Sequence, residues 1–392
     1  MTEDVTGAGT AAAGTGSAGT DGAATGRPPR VAVLWTRLSG YFHASLKALA
    51  DRGVDVLVVH QQSEADAPFD PEAVTRGIRA EQWTDTLDPA HLDRLLDEHD
   101  PDCILVSSWN VGTYRRAARA RRGRTLRLFG MDNQWWSTPK QWAGVLTSRW
   151  NLRPTYDGAF VCGDRQADFA ARLGFPAERL VWGMAVGDHA KFAAVAKARG
   201  DALPPPAFLY VGRLVPEKGI DVLAAAYRRY REKVDDPWPL LIAGRGPEEV
   251  HLAGADGVKL LGFVQPDDLP AVFADAGCLV LPSRFEPWAV VVHEAAAAGL
   301  PVICTRVSGA STRLVLDGYN GVAITDGDVD ALLRALLRIH RATDDERRAM
   351  GAASEALALQ YSPQQWAARL MGRIPELREL VGLEPTPWLT RP

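Results

Sequence analysis

Two carboxylates, Glu286 and Glu294, stand in RFEPWAVVVHEAAAAGLPVI (284–303), one of the most apolar segments of the chain. An ionised carboxylate is costly to desolvate, so such a run requires partners, exposure or a ligand. CLVLP (278–282) reads as a strand and AVVVHEAAAAG as a helix closed by Gly299. Glu286 then precedes a helix N-terminus, where the N–H groups of Trp288, Ala289 and Val290 have no acceptor within the helix and favour an anion. Glu294 lies about 8–10 Å further along at ~1.5 Å per residue. Upstream, VGRLVPEKG (211–219) puts Gly212 and Arg213 at a strand end and Lys218 at the start of a helix. Two cations beside a helix N-terminus suit a diphosphate: the guanidinium bridges oxygens and the ammonium adds a point charge. A solvated loop is the plainer alternative. Two carboxylates that accept from hydroxyls, with cations between them, fit a nucleotide sugar. A carboxylate paired with Arg284 or Arg306 is the competing account of either Glu alone.

AGRGPEE (243–249) is a second glycine turn, but it lacks the third glycine of a dinucleotide fingerprint and the Gly-Lys-Ser/Thr of a P-loop. NAD enzymes and P-loop NTPases lose weight, and a tight βα turn is the simpler reading.

The elements that must position these residues follow a βαβ rhythm. VAVLW (31–35), VDVLVVH (54–60), DCILVSS (102–108), TLRLFG (125–130) and GAFVCG (158–163) are short apolar runs with helical patterns between most of them. Strands without polar alternation imply a parallel sheet covered on both faces. After a less regular stretch ending in LPPP (203–206), AFLYVGRL begins the rhythm again. The expected organisation is a disordered tail over 1–29, an amino-terminal domain over 30–186, a hinge over 187–206, a second domain over 207–360 and a carboxy-terminal helix over 361–392 that packs back across the hinge. Ligands of open parallel sheets bind outside the carboxyl ends of the strands, so two such domains enclose a cleft.

The 392 residues suit two domains of roughly 150–200 residues each. A net charge of -4 disfavours a nucleic-acid binder. Four separated cysteines, each in a strand-like run, read as core residues in a reducing cytoplasm. The Gly-, Ala-, Thr- and Ser-rich start lacks the pattern of a signal peptide. No run approaches the ~18–20 apolar residues that cross a bilayer, so the expected location is the cytoplasm, or the inner face of the membrane as a peripheral protein. The basic run RRAARARRGR, Arg115 to Arg124, could meet an anionic membrane, although a solvated helix face accounts for it as well.

GRLVPEKG, AGRGPEE, the stretch from LLGFVQPDD to LPVICT, and LVLDGYNGV together resemble the consecutive signature blocks of the retaining glycosyltransferases of family four, which have the GT-B fold of two Rossmann-like α/β domains facing across a cleft. The resemblance implies that Arg213 and Lys218 hold the donor diphosphate, that Glu286 contacts the transferred sugar, that Glu294 holds the ribose, and that Gly262, Phe263 and Val264 meet the nucleobase. It implies a nucleotide sugar as co-substrate, a hydroxyl-bearing acceptor, and transfer with retention. No metal is expected, because Arg213, Lys218 and the helix end can stabilise the leaving diphosphate. Trp288 and Ala289 depart from the family's Gly-Phe-Gly-like region, and Ser311 to Leu314 lacks a commonly found acid.

The amino-terminal half matches less closely. LSGY (38–41) supplies only Gly40 where the family has a glycine-rich loop, and GMDNQWW stands where a histidine contacts the sugar. Asp132, Asn133 or His43 could replace that histidine. Trp135 and Trp136 are candidates for acceptor stacking, with a core role as the commoner use of tryptophan. The other accounts of the chain are a nucleotide-sugar epimerase of related fold and a catalytically silent sugar-nucleotide-binding protein.

Overall fold

A computed structural model describes residues 27–36, 38, 40–61, 75–83, 88–107 and 109–385. The expected disordered tail therefore lies almost wholly outside the described residues.

RVAVLW (Arg30–Trp35) forms β1, and its four central residues are buried. A strand so uniformly apolar belongs in the middle of a sheet covered on both faces. Helix α1 (Gly40–Ala50) follows, then β2 (Asp55–Gln61), β3 (Arg79–Trp83), α2 (Pro89–His99), β4 (Cys103–Val106), α3 (Gly112–Ala120), β5 (Leu126–Met131), α4 (Pro139–Asn151), β6 (Gly158–Val161), α5 (Asp164–Arg172) and β7 (Leu180–Trp182). The seven strands pair in parallel in the order β3-β2-β1-β4-β5-β6-β7.

Helix α6 (His189–Arg199) leads into the second sheet, built from β8 (Phe208–Val211), β9 (Leu240–Ala243), β10 (Val258–Gly262), β11 (Cys278–Leu281), β12 (Val302–Thr305) and β13 (Gly321–Ile324). Its order is β10-β9-β8-β11-β12-β13, again parallel. Helices α7 (Ile220–Arg231), α8 (Leu269–Ala274), α9 (Val290–Ala297), α10 (Ser311–Leu314), α11 (Val329–Arg341), α12 (Asp344–Ala358) and α13 (Pro363–Leu380) complete the chain. In both sheets the strand order reverses once, between β1 and β4 and between β8 and β11. The loops leaving those strands diverge there and open a crevice.

Two parts of the sequence reading need correction. The hinge expected over 187–206 contains an 11-residue helix, α6, capped by the Asp188 side chain and packed against α8 and α9 of the second domain. Its sequence, HAKFAAVAKAR, buries only Phe192 and Ala196 and shows no strong apolar stripe, which hid it. Strands β3 and β7 were also missed: RAEQW is mostly polar because it is a sheet edge, and LVW is only three residues long.

Cys103, Cys162, Cys278 and Cys304 are free and buried. Helix α13 returns to the amino-terminal domain and packs on α1. Its Trp366 is fully buried against Phe42 and Phe160, and its indole N–H donates to the Met184 carbonyl at 2.6 Å. Arg378 donates to the Asp102 carbonyl at 2.8 Å. Trp366→Ala is expected to cost about 3–5 kcal/mol, the usual range for removing a fully buried aromatic, and urea unfolding followed by circular dichroism will measure it.

Candidate active site

The switch point of the second sheet gathers the residues singled out by spacing. Loop 212–219 leaves β8 and loop 282–289 leaves β11, side by side. Gly212 and Gly244 both have strongly positive φ, and a Cβ on Gly244 would collide with the Gly212 carbonyl. Only glycine lets the two turns approach this closely. AGRGPEE is thus a packing turn: Leu214 N–H donates to the Arg245 carbonyl at 2.9 Å, and Gly244 N–H to the Gly262 carbonyl at 2.7 Å. The latter bond sets the turn beside Phe263 and Val264, which follow β10 directly.

Lys218 ends a short 3₁₀ turn, and its Nζ lies 2.6 Å from Glu286 Oε2. Both side chains are largely buried, and Ser283 Oγ stands 3.4 Å from the same oxygen. Removing one member of such a pair strands the other charge. Arg213, on the same loop, is exposed and 3.8 Å from Glu217; the Tyr210 hydroxyl steadies its backbone through a 2.8 Å bond to the Arg213 carbonyl. Neither Arg284 nor Arg306 partners a site carboxylate: Arg284 clasps Asp221 at 2.6 Å through both nitrogens, and Arg306 faces Asp317.

Three consecutive carbonyls of the β11–α9 loop are taken. Glu286 O accepts from Gln134 Nε2 at 3.0 Å and from Gly309 N, Pro287 O from Gln166 Nε2 at 2.6 Å, and Trp288 O from Ala310 N and Ser308 Oγ. Gln134 and Gln166 come from the amino-terminal domain, so both domains hold this loop. Ala289 adopts φ 79°, a left-handed conformation that costs a non-glycine residue of order 1 kcal/mol or more and is commonest at functional sites. The helix N-terminus at Val290 is formed immediately after it. The Trp288 indole is buried, packed on Gly163 and Tyr361, so contact with a ligand falls to its backbone.

Glu294 lies on α9, half-buried, with its Cγ close to Gly187. Burial pushes its carboxyl up to about 7, with Asp188 adding to the rise and Lys191 opposing it. The residue before it, His293, is held neutral by burial at about 3. Its Nδ1 accepts from Gly187 N–H at 2.9 Å, which leaves the proton on Nε2 to donate to the Ala358 carbonyl at 3.1 Å. That tautomer ties the segment between β7 and α6, α9 and α12 together beside Glu294. Lys191 also reaches Asp267 at 2.5 Å and the Pro266 carbonyl, linking α6 to the segment after Phe263 and Val264.

On the opposite wall Asp132 follows β5. The residue is exposed overall, but desolvation of its carboxyl raises its pKa, and hydrogen bonds from its own backbone N–H and that of Asn133 oppose the rise. Asn133 Nδ2 donates to it at 3.1 Å. A cavity of about 50 Å³ adjoins both, lined also by Ser107, Trp109 and Asn110 from the first sheet's own switch point. Trp136 packs at a tilt on Phe285 of the second domain, ring centroids 4.7 Å apart, whereas Trp135 packs on Trp142 and Phe169. Gly40 and His43 form the first turn of α1, at the same carboxyl edge of the sheet. Arg165 donates to Gln134 Oε1 and to the Arg306 carbonyl, and Arg313 pairs with Asp164 across the cleft.

Sequence comparison matches residues 39–182 to the glycosyl transferase 4-like domain and residues 205–342 to glycosyl transferases group 1. A GDP-mannose-dependent alpha-(1-6)-phosphatidylinositol monomannoside mannosyltransferase of Mycobacterium tuberculosis is 31% identical over 351 residues, covering 79% of this chain and 86% of the relative. The chain belongs to the group 1 glycosyltransferases, family four. Similarity to the glycogen synthase of M. tuberculosis (34% identity) covers 36% of this chain and 35% of that enzyme, and similarity to the D-inositol 3-phosphate glycosyltransferase of Salinispora tropica (34%) covers 42% and 37%. The GT-B fold is shared with sucrose-phosphate synthase of Thermosynechococcus elongatus (TM-score 0.69, 19% identity, 90% of this chain and 99% of that one). It is shared also with Anabaena HepE in complex with UDP and glucose (0.67, 18%, 87% and 99%).

Gln134, Gln166, His293 and Lys191 escaped the sequence reading. Gln134 and Glu286 are 152 residues apart, and no local pattern marks a glutamine whose partner is a distant carbonyl. The signal available for His293 was its adjacency to Glu294 inside an alanine-rich helix.

Lys218→Ala is expected to destabilise the protein by about 3–5 kcal/mol, and adding Glu286→Gln should recover much of that loss in the same unfolding assay. Because the folded-state pKa of Glu294 is raised, the native state binds its proton more tightly than the unfolded chain. Its contribution therefore makes stability fall as pH rises from about 4.5 to about 7. Glu294→Gln is expected to flatten that part of the profile.

Proposed function

We propose that the protein is a retaining glycosyltransferase that moves a hexose from a nucleoside diphosphate sugar to an acceptor hydroxyl without a metal ion. The observation that carries this reading is the meeting of Arg213, Lys218 and Glu286 at the switch point of the second sheet, with the N-terminus of α9 between the two loops. Lys218 and Arg213 neutralise the diphosphate, the first-turn N–H groups of α9 add donors, and Glu286 accepts from the sugar hydroxyls. Glu294, ionised, accepts from the ribose. Phe263 and Val264 flank the nucleobase.

In the reaction the bond from the anomeric carbon to the phosphate oxygen breaks as the acceptor oxygen bonds to that carbon from the same face, and the departing diphosphate takes the acceptor proton. Catalysis then rests on stabilising negative charge as it develops on the leaving group, which preorganised cations do at no further reorganisation cost. Asp132 and Asn133, across the cleft, orient the sugar or the incoming hydroxyl. The relative that matches 79% of the chain is named for GDP-mannose and a phosphatidylinositol glycoside, which favours a hexose donor and a lipid-linked acceptor. The expected setting is the cytoplasmic side of a membrane.

Calorimetric titration with UDP, GDP, ADP and dTDP in the presence of EDTA tests the donor site. One diphosphate should bind, and Arg213→Ala and Glu294→Ala should each weaken it about tenfold or more, the scale of a lost charged hydrogen bond. Affinity in the unmodified protein should fall as pH drops below about 7, where Glu294 gains its proton, and Glu294→Gln should remove that dependence. No binding by any of the four would overturn the reading. A sugar donor that is isomerised without being transferred would make the protein an epimerase.

A further inference from the structure

The surface of α4 carries three large apolar side chains that stay largely exposed: Trp142, Leu146 and Trp150, which are 50%, 68% and 58% exposed, with Trp142 meeting Trp135 only edge-on. At spacings of four they form one stripe along the helix, about 12 Å long at ~1.5 Å per residue. Their surroundings are cationic. Lys140, Arg149 and Arg153 are exposed, and residues 139–153 contain no carboxylate. We infer that α4 lies on an anionic lipid surface, with Trp142, Leu146 and Trp150 entering the boundary between headgroups and acyl chains and Lys140, Arg149 and Arg153 meeting lipid phosphates.

Three details favour lipid over a glycan. The Arg149 guanidinium covers the face of Trp150 at 3.7 Å, so that face is closed to a stacking sugar, while the guanidinium itself is placed at headgroup depth. The Trp142 indole N–H already donates to Ser137 Oγ at 3.1 Å, so its ring can leave water without stranding a donor. Leu146, in the middle of the stripe and the most exposed of the three, offers an aliphatic surface, which suits an acyl chain. A helix with apolar bulk on one side and cations beside it is the usual form of an interfacial element.

The basic run 115–124 is less suited to this role. Arg121 is buried and bound to Asp93 and Asp97 of α2, Arg116 pairs with Asp93, and Arg124 with Asp97. Those arginines brace α3 against α2. The membrane contact therefore moves one helix along the sheet, to α4, which begins seven residues after Asp132. Docking there sets the mouth of the cleft beside the lipid, a consequence that rests on the transferase reading; the docking itself does not.

Co-sedimentation of the full chain with vesicles of phosphatidylcholine, and of phosphatidylcholine mixed with phosphatidylglycerol, tests the inference. Binding to the mixed vesicles is expected, with a blue shift of tryptophan emission. Trp142→Ser/Leu146→Ser/Trp150→Ser should lower the partition coefficient at least tenfold, and Lys140→Gln/Arg149→Gln should abolish the preference for the anionic vesicles. All five positions are exposed, and circular dichroism will verify folding. Nucleotide titration, which the α4 variants should leave unchanged, separates failure here from failure of the donor-site reading. Absence of vesicle binding, or equal binding by the triple variant, would overturn the inference. So would loss of binding in Arg119→Gln/Arg122→Gln with the α4 variants unaffected, or self-association of the unmodified chain that the triple variant removes, which would assign the stripe to a second copy.

Discussion

Buried carbonyl oxygens must be hydrogen-bonded, and in the loop from Glu286 to Trp288 that requirement links the whole molecule. Three consecutive carbonyls turn into protein and find donors on Gln134, Gln166, Ser308, Gly309 and Ala310. Two of those donors belong to the other domain. The loop is therefore held from both sides, and the strained φ of Ala289 persists because its neighbours are fixed. Helix α9 starts where this clamp ends, so the same bonds that join the domains also aim the helix N-terminus.

The two carboxylates that open the problem are handled differently. Glu286 meets Lys218 directly and is charged as one half of a pair. Glu294 has no such partner: Lys191 acts on it only through its field, and burial lifts its pKa into the neutral range. One acid is thus matched by a cation, whereas the other, raised to about 7, gains or loses its proton near neutrality, and both arrangements ease the cost of a carboxylate in an apolar wall. Neutral His293, with its proton fixed on Nε2, lets α9 and α12 pack there without adding another charge.

The amino-terminal wall follows the same topology with different chemistry. Its switch point, between β1 and β4, lies next to Ser107, Trp109 and Asn110, and Asp132 follows the neighbouring strand. Where the second domain presents cations, this wall presents a wet acid and amides. Outside the cleft, Arg116, Arg121 and Arg124 of the basic run are spent on α2, while α4 leaves its apolar stripe in the open. Net charge of a segment is a poor guide to which surface is available, because packing decides which charges are already paired.

The alternation of strands and helices, the two parallel-sheet α/β domains and the placing of Arg213, Lys218 and Glu286 in loops after strands were legible in the chain alone. Apolar runs alternating with helical patterns, and Gly, Arg, Lys and Glu at strand ends, are local signals whose spacing survives without coordinates. Helix α6 and strands β3 and β7 were not legible, since a weakly patterned helix, a polar edge strand and a three-residue strand are defined by what they pack against. The pairing of Lys218 with Glu286 instead of either nearby arginine, the seating of Trp288 on Gly163, and the grip of Gln134 and Gln166 on distant carbonyls were decided only by tertiary structure. Each depends on which side chain reaches a given atom in three dimensions, and contacts that span 68 to 152 residues leave no periodicity for a sequence to display.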